Sequence, residues 1–301
     1  MAGSTEDPSG YVRWLERCVR LACQAEVLAP KPGNVAPGRP FADVSVADFL
    51  LSADVSAPHL ARAGETGVGP AVLGAVKAVQ DAIGANTNLG IVLLLAPLCA
   101  VAEGVPLVAG IRRVLSTLTR SDAEAVYAAI RLARPGGLGT SQRFDVRACE
   151  APPDLLTAMR AAGDRDRVAA QYVTDFADVF RLADELASAM AAAPWAIAVR
   201  DVFLRELAAH PDTLIARKCG MAEAELVSRH AADVLQAVER GEPDAPQRLE
   251  RFDRWLRSDG NRRNPGTTAD LIAAALFVLL RERRIPVDLI PEGLPGESFR
   301  P

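Results

Sequence analysis

Hydrophobic positions recur along this chain at intervals of three and four, and almost nowhere in strict alternation. Over residues 11–29, Val12, Leu15, Val19 and Ala22 fall on one helical face, because a helix brings positions three and four apart together. Pro30 and Pro32 end that helix, and Gly33 permits a turn that other residues resist. The same periodicity predicts helices over 70–83, 89–102, 105–118 and 122–133, then 166–192, 194–209, 222–240, 246–257 and 265–284. Ser45 with Asp48, and Ser121 with Glu124, stand at capping-box spacing, the first pair opening a further helix. The longest apolar run, 89–102, is closed by Glu103; it is too short to span a bilayer and reads as a buried core helix. Residues 134–153 gather Pro135, Gly136, Gly137, Gly139 and the pair Pro152–Pro153, so this segment reads as loop. With no alternating run between turn signals, no sheet is predicted. The expected fold is all-α, a single-domain multi-helix bundle. Residues 11–284 make its body, between an N-terminal tail over 1–10 and a Pro/Gly-rich, irregular C-terminal tail over 285–301.

Composition narrows the partners. Aromatic residues are 5% of the 301 and hydrophobic residues 50%, which suits helices packed closely on alanine rather than a sandwich or barrel. A formal net charge of -4 gives no global positive field for nucleic acid or an anionic membrane, so an anionic substrate must be held by local basic groups. The five cysteines (Cys18, Cys23, Cys99, Cys149 and Cys219) are odd in number, scattered and without a CxxC pair, so reduced thiols are expected. The polar, acidic start lacks the basic and apolar regions of a secretory leader. A cytoplasmic protein is expected, with a homo-oligomer left open.

The rare residue types carry the candidate chemistry. Lysine occurs only at Lys31, Lys77 and Lys218, and asparagine only at Asn34, Asn86, Asn88, Asn261 and Asn264. The asparagines fall in three short segments beside predicted helix ends, where capping is the ordinary use of the residue. Their conjunction argues for more. Asn264-Pro265-Gly266-Thr267 opens a helix with a cap candidate, a proline and a hydroxyl, and Asn86-Thr87-Asn88 opens another. Free amides at such starts suit phosphate. Lys31, Lys218, Arg217, Arg262 and Arg263 could complete a polyphosphate site, although no P-loop and no GxGxxG occurs. Nearby carboxylates are Glu26, Asp43, Asp212 and Asp270. Glu26 stands near a helix C-terminus, where the dipole disfavours it; Asp212 and Asp270 stand at helix starts, and two carboxylates suffice for a phosphate-bridging Mg²⁺. Three dispersed histidines without HExxH, and no GxSxG, argue against a zinc hydrolase or a serine nucleophile.

At these segments the chain resembles the triphosphoribosyl-dephospho-CoA synthase family. The matching pieces are Glu26-Val27, Pro30-Lys31-Pro32-Gly33-Asn34-Val35, Phe41-Ala42-Asp43, Gly84-Ala85-Asn86-Thr87-Asn88-Leu89-Gly90, Pro211-Asp212-Thr213 and Asn264-Pro265-Gly266-Thr267-Thr268-Ala269-Asp270. The resemblance implies an all-helical enzyme that joins ATP and 3′-dephospho-CoA. Adenine leaves, and the triphosphorylated ribose passes to the ribose 2′-hydroxyl. Two segments depart from the synthases of this activity, which carry a His-containing stretch after the KPG motif and His-Lys after Asn-Thr. Here Gly38-Arg39-Pro40-Phe41 and Asn88-Leu89 stand instead, as in a branch linked to tetrahydromethanopterin-type cofactor metabolism. Glu26 or Asp43 is the expected base. Lys31, Gly33, Asn34, Asn86, Thr87, Asn88, Arg217, Lys218, Arg262, Asn264, Gly266 and Thr267 are expected around nucleotide and phosphate, and Asp212 and Asp270 around Mg²⁺. A related enzyme using another ribosyl acceptor, and a noncatalytic nucleotide-binding helical protein, are the competing readings.

Overall fold

The computed structural model describes residues 8–137, 143–147 and 152–291. The helical periodicity is realised first as α1 (Pro8–Leu28), α2 (Val46–Ala61), α3 (Ala63–Thr66), α4 (Val68–Ile83), α5 (Leu89–Cys99), α6 (Leu107–Ser116) and α7 (Arg120–Ala133). There follow α8 (Leu155–Ala162), α9 (Arg167–Val173), α10 (Ala177–Ala192), α11 (Trp195–Ala209), α12 (Thr213–Cys219), α13 (Met221–Glu239), α14 (Ala245–Arg257) and α15 (Gly266–Arg281). Among the described residues there is no strand; an isolated bridge joins Ala36 and Arg39. The expected all-α class holds.

The centre of the molecule is α15. From Leu271 to Leu280 no residue is more than 2% exposed, so the helix is apolar on every side and must be surrounded. It is: α1, α5, α9, α10, α11 and α12 all pack on it. Ala273, Ala274 and Ala275 let neighbouring backbones come close, which is how a chain poor in aromatics fills its core. The apolar run predicted as a core helix is α5, in which every residue but Gly90 is buried. Tyr172 of α9 reaches into the same core and donates its hydroxyl to Leu93 O at 2.6 Å.

The structure corrects several boundaries. The first helix begins at Pro8 rather than at residue 11, and α3, α8 and α12 lie in stretches where no separate helix was expected. The long helix over 166–192 is two, because Asp175 and Phe176 take left-handed conformations (φ 52° and 62°) that drive the wholly buried Phe176 into the core. Past α15, Ile285 and Ile290 bury against the main core around a 3-10 turn, Val287–Leu289, so apolar contact orders the start of the expected tail. The capping box before α7 is Thr119 with Asp122, not Ser121 with Glu124, whereas Ser45 and Asp48 pair as expected. Gly139 and Cys149 lie outside the described residues. Cys18, Cys23 and Cys99 are buried free thiols, and burial pushes the Cys18 thiol up to about 12. No helix among the described residues is long and apolar enough to cross a membrane.

Asp122 joins two helices. Its Oδ2 accepts from the Thr119 backbone at 2.8 Å and hydroxyl at 2.7 Å, while Oδ1 accepts from Gly69 N–H of α4 at 2.8 Å. A side chain at Gly69 would run into the Asp122 backbone, so α4 and α7 touch main chain to main chain. Asp122→Ala removes the cap and strands a buried N–H, an expected loss of about 2–3 kcal/mol. Thermal melts should show Tm lower by about 3–5 °C; an unchanged Tm would deny the joint any energetic role.

Candidate functional site

The Pro-Lys-Pro-Gly-Asn turn after α1 is built around a buried charge. Prolines 30 and 32 have no N–H to give, and the main chain folds so that Lys31 N–H reaches Ala29 O at 2.8 Å. The lysine side chain is thereby turned inward, with no exposure. Its ammonium meets Glu26 Oε1 at 2.9 Å and also donates to the Glu26 and Ala29 carbonyls. Gly33 follows at φ 76°, pressed so closely that a Cβ would lie 2.8 Å from Leu256 and 2.9 Å from Pro265. Its N–H donates to Asp253 Oδ1 at 2.7 Å. Asp253 also binds Arg39 and Arg257, and Arg257 donates to the Asn34, Arg39 and Pro40 carbonyls. The turn is therefore clamped onto α14 through two residues that sequence reasoning missed.

Beside this turn lies a cleft of ≈ 1390 Å³. Of the residues expected to form a site, Glu26, Asn34, Asp43, Asn86, Thr87, Arg217, Lys218, Asn264, Gly266, Thr267 and Asp270 border it. The three distant segments thus meet in space. Lys31, Gly33, Asn88, Arg262 and Asp212 do not border it. Lys31 is committed to Glu26 and stands behind it. Asn88 is buried, its amide 3.4 Å from Ser56 Oγ. Arg262 is exposed and donates to Lys218 O at 2.6 Å. Arg263, the other arginine of that segment, pairs with Glu223 and lies over Trp255.

Asp212 is enclosed completely, and all of its accepting capacity is used. Oδ1 takes Leu214 N–H at 2.9 Å and Ile215 N–H at 3.1 Å; Oδ2 takes Thr268 N–H at 2.7 Å and its hydroxyl at 2.8 Å. This carboxylate ties the starts of α12 and α15 together and has nothing left for a metal ion facing the cleft. It also takes an amide expected to serve phosphate. At the start of α15, Gly266 N–H goes to Asn264 O and Thr268 N–H to Asp212. Asn264 does not cap: its Oδ1 is buried with no partner among the described residues, as is the Nδ2 of Asn34. Two amide side chains that border one cleft thus each keep a buried hydrogen-bonding group without a partner among the described residues. Asn86 does cap, accepting from Leu89 N–H at 3.2 Å, and Thr87 pairs with Ser52.

The charged groups of the cleft divide by sign. Lys218 has an ammonium without a hydrogen-bond or ion-pair partner among the described residues, and burial followed by the Arg217 charge lowers its pKa. Arg217 is held by Asp166 at 3.0 Å. That aspartate, also missed, caps α9 through Val168 and Ala169 N–H groups and looked like any helix-start residue. Opposite in sign are Glu26, 4% exposed, and Asp270. Burial first, then the nearby Glu26 charge, push the Asp270 carboxyl well above the usual carboxylate range. It has no hydrogen-bond partner among the described residues and lies where any side chain at Gly90 would collide with it. Asp43 is exposed at the rim. Among the described residues, no group of three or more His, Cys, Asp or Glu is arranged to hold a metal ion.

An all-helical body whose cleft is bordered by Glu26, Asp270, Asn34, Asn264 and Lys218 suits an enzyme acting on small molecules. The family model for ATP:dephospho-CoA triphosphoribosyl transferase matches residues 12–287, and the chain belongs to that family. It is also similar to the crystal structure of an Archaeoglobus fulgidus protein provisionally assigned as triphosphoribosyl-dephospho-CoA synthase. Identity to that protein is 26%, the match covers 78% of this chain and 99% of that one, and the TM-score is 0.61. No curated protein matches the chain.

Because folding raises the proton affinity of Asp270, the folded state binds more protons than the unfolded state above the ordinary carboxylate pKa of about 4. Stability should then fall as pH rises through that window, by about 1.4 kcal/mol for each tenfold gain in proton affinity. Asp270→Asn should therefore be more stable than the parent at pH 8 in metal-free buffer, with the advantage shrinking towards pH 4.5. Thermal melts across this range test it; a difference independent of pH would refute it.

Proposed function

We propose that the protein transfers the 5-triphosphoribosyl group of ATP to the ribose 2′-hydroxyl of 3′-dephospho-CoA, with release of adenine. The observation that carries this reading is the convergence of Glu26, Asp270, Asn34, Asn264 and Lys218 on one cleft, in a chain of the matching family. In the reaction the acceptor oxygen bonds to C1′ of ATP as the C1′–N9 bond breaks. The hydroxyl proton is lost to a base, and adenine gains one proton at a ring nitrogen, so protons balance. Displacement at an anomeric carbon passes through an oxocarbenium-like state. A negative charge fixed beside it lowers the barrier.

Glu26 is better placed for this than Asp43. It borders the cleft from a buried position with Lys31 at 2.9 Å as counterion, whereas Asp43 is exposed at the rim. We assign Glu26 as the base that takes the hydroxyl proton. Lys218 and Arg217 meet the triphosphate, and the unmet amides of Asn34 and Asn264 orient ribose or adenine. Lys31 acts through Glu26 rather than on phosphate. The residues fit a Mg²⁺ carried in with ATP: Asp270 borders the cleft without a hydrogen-bond partner among the described residues, and a phosphate-bridging Mg²⁺ needs one or two carboxylates. Asp270 would hold it, and the ion would neutralise charge on the triphosphate.

A second reading keeps the scaffold and changes the acceptor. It is favoured by the departures at Gly38–Phe41, since Phe41 itself borders the cleft, and it assigns the protein to tetrahydromethanopterin-type cofactor biosynthesis. Incubation with ATP and dephospho-CoA, followed by chromatography for adenine and mass spectrometry of the product, separates the two. Adenine release that requires dephospho-CoA is expected, and Glu26→Gln should lower kcat by about 10²-fold or more. No adenine with that acceptor would move the assignment to the second reading. Full turnover in Glu26→Gln would remove the base.

A further inference from the structure

Basic groups continue along the cleft beyond Lys218 and Arg217, for Arg131, Arg134, Arg143 and Arg165 also border it. The path of the chain joins them to the first pair. Past α7, Gly136 and Gly137 lie directly on α12. A Cβ at Gly136 would stand 3.2 Å from Lys218 Cε and one at Gly137 3.0 Å from Arg217 Cγ, while Arg217 donates to Gly136 O at 3.3 Å. Arg134 is therefore two residues from main chain that touches Lys218. Arg131 lies in the last turn of α7, and Arg165 immediately precedes Asp166, the partner of Arg217. The carboxylates bordering this stretch, among the described residues, are Asp145 and Asp166, and each already has an arginine, Arg147 and Arg217. One wall of the cleft is thus a basic strip, although the chain as a whole is acidic.

Arg131 and Arg134 are exposed. Arg131 places one guanidinium N–H on Val146 O at 2.8 Å, and neither arginine has an ion-pair partner among the described residues. A cation in the last turn of a helix complements its dipole, which is reason enough for Arg131. It is not reason enough for Arg134, which caps α7 in a left-handed conformation, φ 46°, where glycine is the usual residue. Its side chain makes no hydrogen bond among the described residues that would offset that strain. The proposed reaction brings two phosphate chains into the cleft, the triphosphate of ATP and the diphosphate of dephospho-CoA. Lys218 and Arg217 are assigned to the first, so the second would lose water without a counter-charge unless further cations meet it. We propose that Arg131 and Arg134 hold the diphosphate of the acceptor nucleotide, at a site separate from the Lys218 site for the triphosphate. Guanidinium groups suit this task, since their planar fork meets phosphate oxygens in pairs. The inference rests on the transferase reading above, which supplies the second nucleotide.

Separate calorimetric titrations with dephospho-CoA and with ATP, at low salt so that exposed charges are not screened, test the site without turnover. The double variant Arg131→Gln/Arg134→Gln should bind dephospho-CoA about 10-fold more weakly than the parent and ATP within about 2-fold of it. Lys218→Gln should do the reverse. Arg134→Gln alone keeps the Arg131 bond to Val146 O and serves if the double variant does not fold; it should weaken dephospho-CoA by about 3-fold or more, again sparing ATP. No binding of dephospho-CoA by the parent, unchanged affinity in the folded arginine variants, or equal losses for both nucleotides would overturn the proposal. If the arginine variants behave as expected and the parent releases no adenine, the site stands and the proposed reaction falls. If adenine is released with dephospho-CoA and the arginine variants bind it as the parent does, the reaction stands and the site falls.

Discussion

A lysine with no exposed surface is the constraint around which the site is organised. Removing an ammonium from water costs several kcal/mol unless an anion and hydrogen-bond acceptors replace the solvent. Lys31 has both: Glu26 at 2.9 Å and the carbonyls of Glu26 and Ala29. Satisfying it fixes the end of α1 against the turn that follows, since donor and acceptors lie within five residues. The same bonds hold Glu26 at the edge of the cleft, at a helix C-terminus where the backbone dipole would otherwise oppose its charge. The ammonium answers that opposition. A turn so closed must still be anchored to the body, and Asp253 and Arg257 of α14 supply the anchor through the amide and carbonyls of residues 33–40.

Much of the fold was legible because the apolar pattern is long and periodic. The stretches that became α5 and α15 needed no tertiary information: residues apolar on every side can only be interior. Where prediction erred, a local signal competed with a distant one. Residues 166–192 carry helical periodicity throughout, yet burying Phe176 outweighs continuity and breaks the helix at Asp175. Ser121 and Glu124 have capping spacing, but Asp122 can also reach Gly69 of α4, so Thr119–Asp122 prevails.

The site was legible as a set of residue types and not as a set of roles. Clustered asparagines and lysines marked the segments that meet at the cleft, because such residues are scarce elsewhere in an arginine-rich chain. Direction is another matter. Nothing in the string Pro-Lys-Pro-Gly-Asn states that its lysine points inward, and the expectation of a phosphate contact at Lys31 gave way to an ion pair. Asp253 and Arg257 stand four apart on α14, as ordinary surface pairs do; only their contact with residues more than two hundred positions away distinguishes them. Asp166 was hidden for the same reason, a capping aspartate among several.

Helix starts contribute to the cleft less through their dipoles than through the groups that tie them down. The amides at the beginning of α9 are taken by Asp166 and Thr213, those of α12 by Asp212, and one of those of α15 again by Asp212. A phosphate arriving there would compete with bonds already made. What the helix starts do supply is position. Asp212 locks α12 to α15, and those helices carry Lys218 and Asp270, so one buried carboxylate sets the spacing between these two residues of the cleft. The amides that these helix starts could offer an anion are thus largely spoken for, and backbone geometry serves to hold the side chains of the cleft in place.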